Sequence, residues 1–179
     1  MDQFESIVAT LFEAHGFWVR RSFKANLTKE ERRRIGKYSI PRPEIDLLAL
    51  DFSDNCVLAV EAKSFLDSPG VKASDLEEQY DVPTGRYKLF TSERYRSVVC
   101  QRLLKDLKAN GMGNAKTKVG LGLVTGKVYR AQSDAIRELM RKKKWFFWGP
   151  EDIKQRVTAL ANRGYENDPA IITAKILMR

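Results

Sequence analysis

Apolar residues recur along this chain with two different periods, and the switches between them divide it into elements. Phe4, Ile7, Val8, Leu11 and Phe12 stand three and four residues apart, the spacing of one helix face, and His15-Gly16 closes the run. FWVRRSF, residues 17 to 23, reads as a first strand. EIDLLALDF and CVLAVEAKSF read as two more, joined by Ser53-Asp54-Asn55, a connection short enough for a hairpin. Helical spacing returns from Glu93 to Asn110, with Val99, Cys100, Leu103, Leu104 and Leu107 on one side and Arg94, Arg102 and Lys105 on the other. KVGLGLVTG is a fourth strand, DAIRELMRKKK a helix, WFFWG a short fifth strand, and Pro150 opens a further helix through Gly164.

Two stretches lack a clear period. Residues 24 to 42 are polar, basic and closed by two prolines, which predicts an exposed loop or arm. Residues 67 to 92, rich in Asp, Glu, Pro and Gly, predict a loop with a short helix around DLEEQY. The order of elements predicts an α/β or α+β domain, a central mixed sheet flanked by helices. With 179 residues and 43% hydrophobic content, the chain suits one domain with a sizeable core, residues 150 to 179 forming a C-terminal helical extension.

Charge narrows the partners. Thirty-two Lys and Arg against 23 Asp and Glu leave a formal net charge of +9, which favours a polyanion, nucleic acid before an anionic membrane surface. No apolar run approaches the roughly 18 residues of a spanning helix, and no basic-then-apolar leader opens the chain, so a cytoplasmic protein without membrane contact is expected. Cys56 and Cys100 lack metal-ligand spacing and read as buried free thiols. One histidine, His15, sits where it caps a helix, which disfavours chemistry built on several histidines. GMGNAKT, residues 111 to 117, lacks the glycines of a phosphate loop and reads as a turn.

The run VLAVEAKSF, residues 57 to 65, breaks its own apolar pattern. Alternation along a strand puts Glu61 and Lys63 on the face of Val57 and Ala59, so a carboxylate and an ammonium emerge together from an apolar ladder. The hairpin brings Asp46 of the preceding strand beside them. Burying carboxylates there without compensation costs several kcal/mol, which argues for a metal ion or a charge partner. Two other acid-x-Lys pairs carry less: Asp106 and Lys108 lie about 200° apart on a helix, and Asp152 suits the dipole of a helix start. Glu5 lies on the flank of the first helix's apolar stripe, whereas Glu13 faces away. The plainer alternatives are a salt-bridged sheet edge for Asp46, Glu61 and Lys63, and a helix-start carboxylate for Glu5.

Pro43-Glu44-Ile45-Asp46, fourteen residues, then Glu61-Ala62-Lys63 resembles the PD-(D/E)XK nuclease superfamily, the restriction-endonuclease-like fold. Phe4-Glu5 followed by Gly16-Phe17-Trp18-Val19 is similar to the N-terminal part of its Mrr-type and resolvase-like branches. Two departures stand out: the proline lies three residues before the aspartate, and no QxxxY helix is present, Gln101 being followed by Lys105. The resemblance implies a Mg²⁺-dependent nuclease, with Mn²⁺ able to substitute, that hydrolyses DNA phosphodiesters endonucleolytically. Asp46 and Glu61 would be metal ligands, Lys63 would position or activate the attacking water, and Glu5 would be a second-metal ligand or an orienting acid. DNA is favoured over RNA on the resemblance alone, and a homodimer is compatible with it. An RNA-directed nuclease, or a nucleic-acid-binding module of this fold without turnover, are the alternatives. Lys24, Arg32, Arg33, Arg34, Lys37 and Arg42, in the basic arm, are the expected phosphate contacts.

Overall fold

The computed structural model describes residues 2–39 and 41–179. Five strands form one mixed sheet in chain order: β1 (Trp18–Lys24), β2 (Glu44–Asp51), β3 (Cys56–Lys63), β4 (Lys118–Thr125) and β5 (Phe146–Trp148). β1, β2 and β3 pair antiparallel, while β4 joins β3 and β5 joins β4 in parallel. The β2–β3 connection is tight, as its length predicts: Asn55 takes a positive φ, and Asp51 accepts from the Ser53 and Asp54 amides.

Alternation along the strands sends apolar side chains to both faces, and helices cover each. Val8, Leu11 and Phe12 of α1 (Gln3–Ala14) pack on Leu47, Ala49, Val60 and Val124. The same layer takes Leu160 of α7 (Pro150–Leu160) with Ile171 and Ala174 of α8 (Pro169–Leu177). The segment from 150 to 179 is helical, as expected, and these three residues join it to the core. Thr10 on α1 donates to Asp168, the N-cap of α8, at 3.0 Å. On the opposite face, α5 (Glu93–Ala109) and α6 (Ser133–Lys143) cover Leu48, Val57, Ala59, Leu121 and Leu123. Each fully buried Leu or Phe contributes about 1.5–3 kcal/mol. Gly120 of β4 is required by close approach, since a Cβ there would stand 2.8 Å from the Leu58 side chain.

The stretch from 24 to 42 is exposed at most positions, as its polarity predicts, but it is anchored where a free arm would not be; of it, only position 40 lies outside the described residues. Thr28 and Glu31 form a capping box that starts α2 (Lys29–Arg34), and Ala25, Leu27 and Ile35 are buried against the α5 face. Buried Glu31 then takes the Arg102 guanidinium of α5 at 2.8 and 2.9 Å, pinning α2 down. Between α2 and α5 lie two four-residue helices, α3 (Ser74–Glu77), at the expected place, and α4 (Lys88–Thr91), which carries no sequence signal. His15 caps α1, its Nδ1 donating to the Leu11 carbonyl at 2.7 Å. Cys56 and Cys100 are free and half-buried. Among the described residues, no helix is long and apolar enough to cross a membrane.

Candidate functional site

The start of β2 and the ends of β3 and β4 lie at one end of the sheet, as their antiparallel and parallel pairings require. There β2 leaves regular pairing. The β1–β2 ladder runs Arg21↔Leu47 then Phe23↔Ile45, passing over Ser22, which takes φ 50°, and Asp46. Ile45 consequently joins the α5-side core while Leu47 faces α1, so side-chain alternation breaks at Asp46. The β2–β3 ladder stops at Leu47↔Val60, and beyond it the Asp46 carboxylate accepts the Ala62 amide at 2.8 Å. A side chain thus replaces a backbone carbonyl as the acceptor and is fixed against β3.

Glu61 and Lys63 continue the parity of Val57 and Ala59, toward the α5 side. The Lys63 ammonium lies 2.5 Å from Glu61 and 3.5 Å from Asp46. The side chains of Lys63, Asp46 and Glu61 keep 21%, 17% and 14% of their surface, so this is a largely desolvated ion cluster and not a surface pair. Burial pushes the Glu61 carboxyl up; Lys63 opposes the rise, and Asp46 and Glu5 add to it. Burial works against the Lys63 charge, but Glu61 and Asp46 outweigh it and hold the ammonium above its usual range.

Glu5, half-buried on the first turn of α1, is electrostatically part of this group: burial and then Asp46 raise its carboxyl. Gly126 explains how α1 comes so close. Its amide donates to the Lys63 carbonyl at 2.9 Å, and a Cβ there would stand 2.7 Å from the Ser64 carbonyl and 3.2 Å from Phe4.

A cavity of about 490 Å³ opens over Glu61 and Lys63, with Arg42, Arg86, Lys88 and Tyr95 on its walls. Of the six basic residues expected to contact phosphate, Arg42 alone borders it. Lys24 pairs with Glu44 at 3.5 Å, Arg32 donates to the Leu27 carbonyl, and Lys37 is half-buried. Arg33 is exposed on α2, and Arg34 borders a separate hollow with Asp81 and Glu93. The basic wall comes from Arg86 and Lys88 instead. Both lie in the stretch from 67 to 92 that lacks a clear period, Arg86 before α4 and Lys88 on its first turn, so no spacing shows which way they face. Tyr95 was legible only as an apolar-face neighbour of Val99, one turn away. Its phenol is pushed up to about 12 by burial and by Glu61, so it stays protonated.

Two carboxylates share one lysine, and Glu5 adds to the negative field at Glu61, so the pair is an oxygen donor set short of positive charge, which suits a hard divalent cation. Asp46 and Glu61 would hold it. As the side chains stand, Lys63 spans both, and no preassembled group of three Asp, Glu, His or Cys ligands exists among the described residues. Comparison of the chain with family models, with curated proteins and with solved structures gives no match.

Proposed function

We propose that this chain is a Mg²⁺-dependent, restriction-endonuclease-like nuclease that hydrolyses DNA phosphodiester bonds, working endonucleolytically in the cytoplasm. The observation that carries the reading is the convergence of Asp46 and Glu61, from adjacent strands, on Lys63, with Glu61 and Lys63 lining a cleft walled by Arg42, Arg86 and Lys88. An acidic floor repels a polyanion unless basic walls draw it in, and this cleft has both.

When bound, Mg²⁺ would acidify water and offset charge on the scissile phosphate. The chain's own residues do the rest. Asp46 and Glu61 supply carboxylate oxygens, and Asp46 is oriented by the Ala62 amide. Lys63, beside both carboxylates, supplies a point charge for a phosphate oxygen and for the charge that builds as the P–O ester bond breaks. Arg42, Arg86 and Lys88 hold flanking phosphates without reading bases.

One observation favours a binding module without turnover: the Lys63 ammonium already occupies the space between the two carboxylates. Circular plasmid incubated with Mg²⁺ separates the two readings. Nicking or linearisation by wild type that Glu61→Ala abolishes is the expected result, while plasmid binding without Mg²⁺-dependent cleavage would leave the module.

A further inference from the structure

A second cavity, about 380 Å³, adjoins the cleft and shares Phe65, Gly85 and Arg86 with it. Its own lining adds Tyr80, Tyr87, Lys72 and Asp75, two aromatic rings with charges of both signs. The partition between the cavities is held in an unusual conformation. Phe65 takes φ 46°, a left-handed conformation that a bulky side chain adopts only when its surroundings impose it. The Arg86 guanidinium lies over the Phe65 ring at 5.9 Å. Gly85 leaves the wall open, since a Cβ there would have nothing within 4 Å. On the far side, Gly70 approaches the 127–128 backbone so closely that a Cβ would stand 2.8 Å from Val128.

The geometry points to this cavity as a pocket for one unpaired nucleobase of the strand held in the cleft. The inference rests on the nuclease reading and adds a substrate class to it: DNA with a single-stranded or extruded nucleotide beside the scissile bond. The volume suits one base, and the exposed Tyr80 ring, with Tyr87 buried behind it in the core, can stack on any base with little sequence preference. Asp75 can accept from a base amino group, while Lys72 and Arg86 flank the pocket as phosphate partners. A base inside a duplex cannot reach such a pocket, so extrusion costs least where pairing is already absent. The shared wall joins the two cavities, as one strand passing from cleft to pocket requires.

The test compares a fully paired DNA duplex, the same duplex carrying one unpaired 2-aminopurine, and the single strand, with Ca²⁺ in place of Mg²⁺ to suppress turnover. Fluorescence anisotropy gives affinity, and 2-aminopurine emission reports stacking. Wild type should bind the two unpaired forms on the order of tenfold more tightly than the paired duplex, and should quench the probe. Tyr80→Ala should lose the preference and the quench while binding the paired duplex as wild type does; Tyr80→Phe, which keeps the ring, should retain both. Equal affinity of wild type for paired and unpaired forms overturns the pocket and leaves the nuclease reading standing, as does a preference that survives Tyr80→Ala. Failure to bind any of the three DNAs overturns both.

Discussion

Replacing Lys63 with methionine tests the charge balance on which the site depends. Methionine keeps most of the stem's packing and removes the ammonium that touches Glu61 at 2.5 Å and Asp46 at 3.5 Å. Removing one partner of a buried ion pair costs about 3–5 kcal/mol while the other stays ionised. Glu61 can escape that cost by taking a proton, since its carboxyl already stands above the ordinary 4.5 through burial. The sign follows. A carboxyl whose folded value is raised contributes its stability in full below 4.5, and loses about 1.4 kcal/mol per pH unit as pH rises to the folded value. The gap between wild type and Lys63→Met should therefore be smallest near pH 5 and widest near pH 8. For a chain of this size, each kcal/mol moves Tm by roughly 2–4 °C, so the full penalty is roughly 6–20 °C. Mg²⁺ should return more stability to the variant than to wild type, because Lys63 no longer competes for the carboxylates; saturation at a hundredfold over Kd adds about 2.7 kcal/mol. Thermal melts across this pH range, with and without Mg²⁺, measure both effects. A Tm gap that does not change with pH, or equal Mg²⁺ shifts in the two proteins, would refute the charge balance.

Glu31→Gln should lower stability by about 2–4 kcal/mol at neutral pH by breaking the Arg102 fork and the capping box. Burial pushes the Glu31 carboxyl up, but the bonds from Arg102 and the Thr28 amide pull it further down, so the loss should fade in urea titrations as pH falls below 4.5. Glu5→Gln removes a half-buried carboxyl that stands raised beside Asp46; calorimetry with Mn²⁺ should find weaker binding, and melts should find the metal-free fold unchanged or slightly more stable. Glu13→Gln, on the exposed side of α1, should do neither. Alanine at Arg42, Arg86 and Lys88 together should flatten the salt dependence of duplex DNA binding by about 0.9 log-log units for each phosphate that is no longer neutralised. The pair Arg33→Ala and Arg34→Ala, outside the cleft, should leave that slope unchanged.

What the sequence determined by itself was local. A helix face at three- and four-residue spacing, alternation along β2 and β3, and a connection too short for anything but a hairpin are properties of near neighbours, so α1, the five strands and the meeting of Asp46 with Glu61 were legible without coordinates. Tertiary structure decided whatever depends on partners far along the chain. The stretch around α2 reads as polar because Glu31 and Arg32 are charged, yet Glu31 is buried by Arg102, 71 residues away, and no window around α2 contains that partner. The break in alternation at Asp46 likewise arises between β1 and β3, at Ser22 and Ala62, and turns an ordinary strand residue into an acceptor for the neighbouring backbone. Arg86 and Lys88 show the same limit: their charge was plain in the sequence, but that they border the cleft over Glu61 and Lys63 depends on residues far back along the chain.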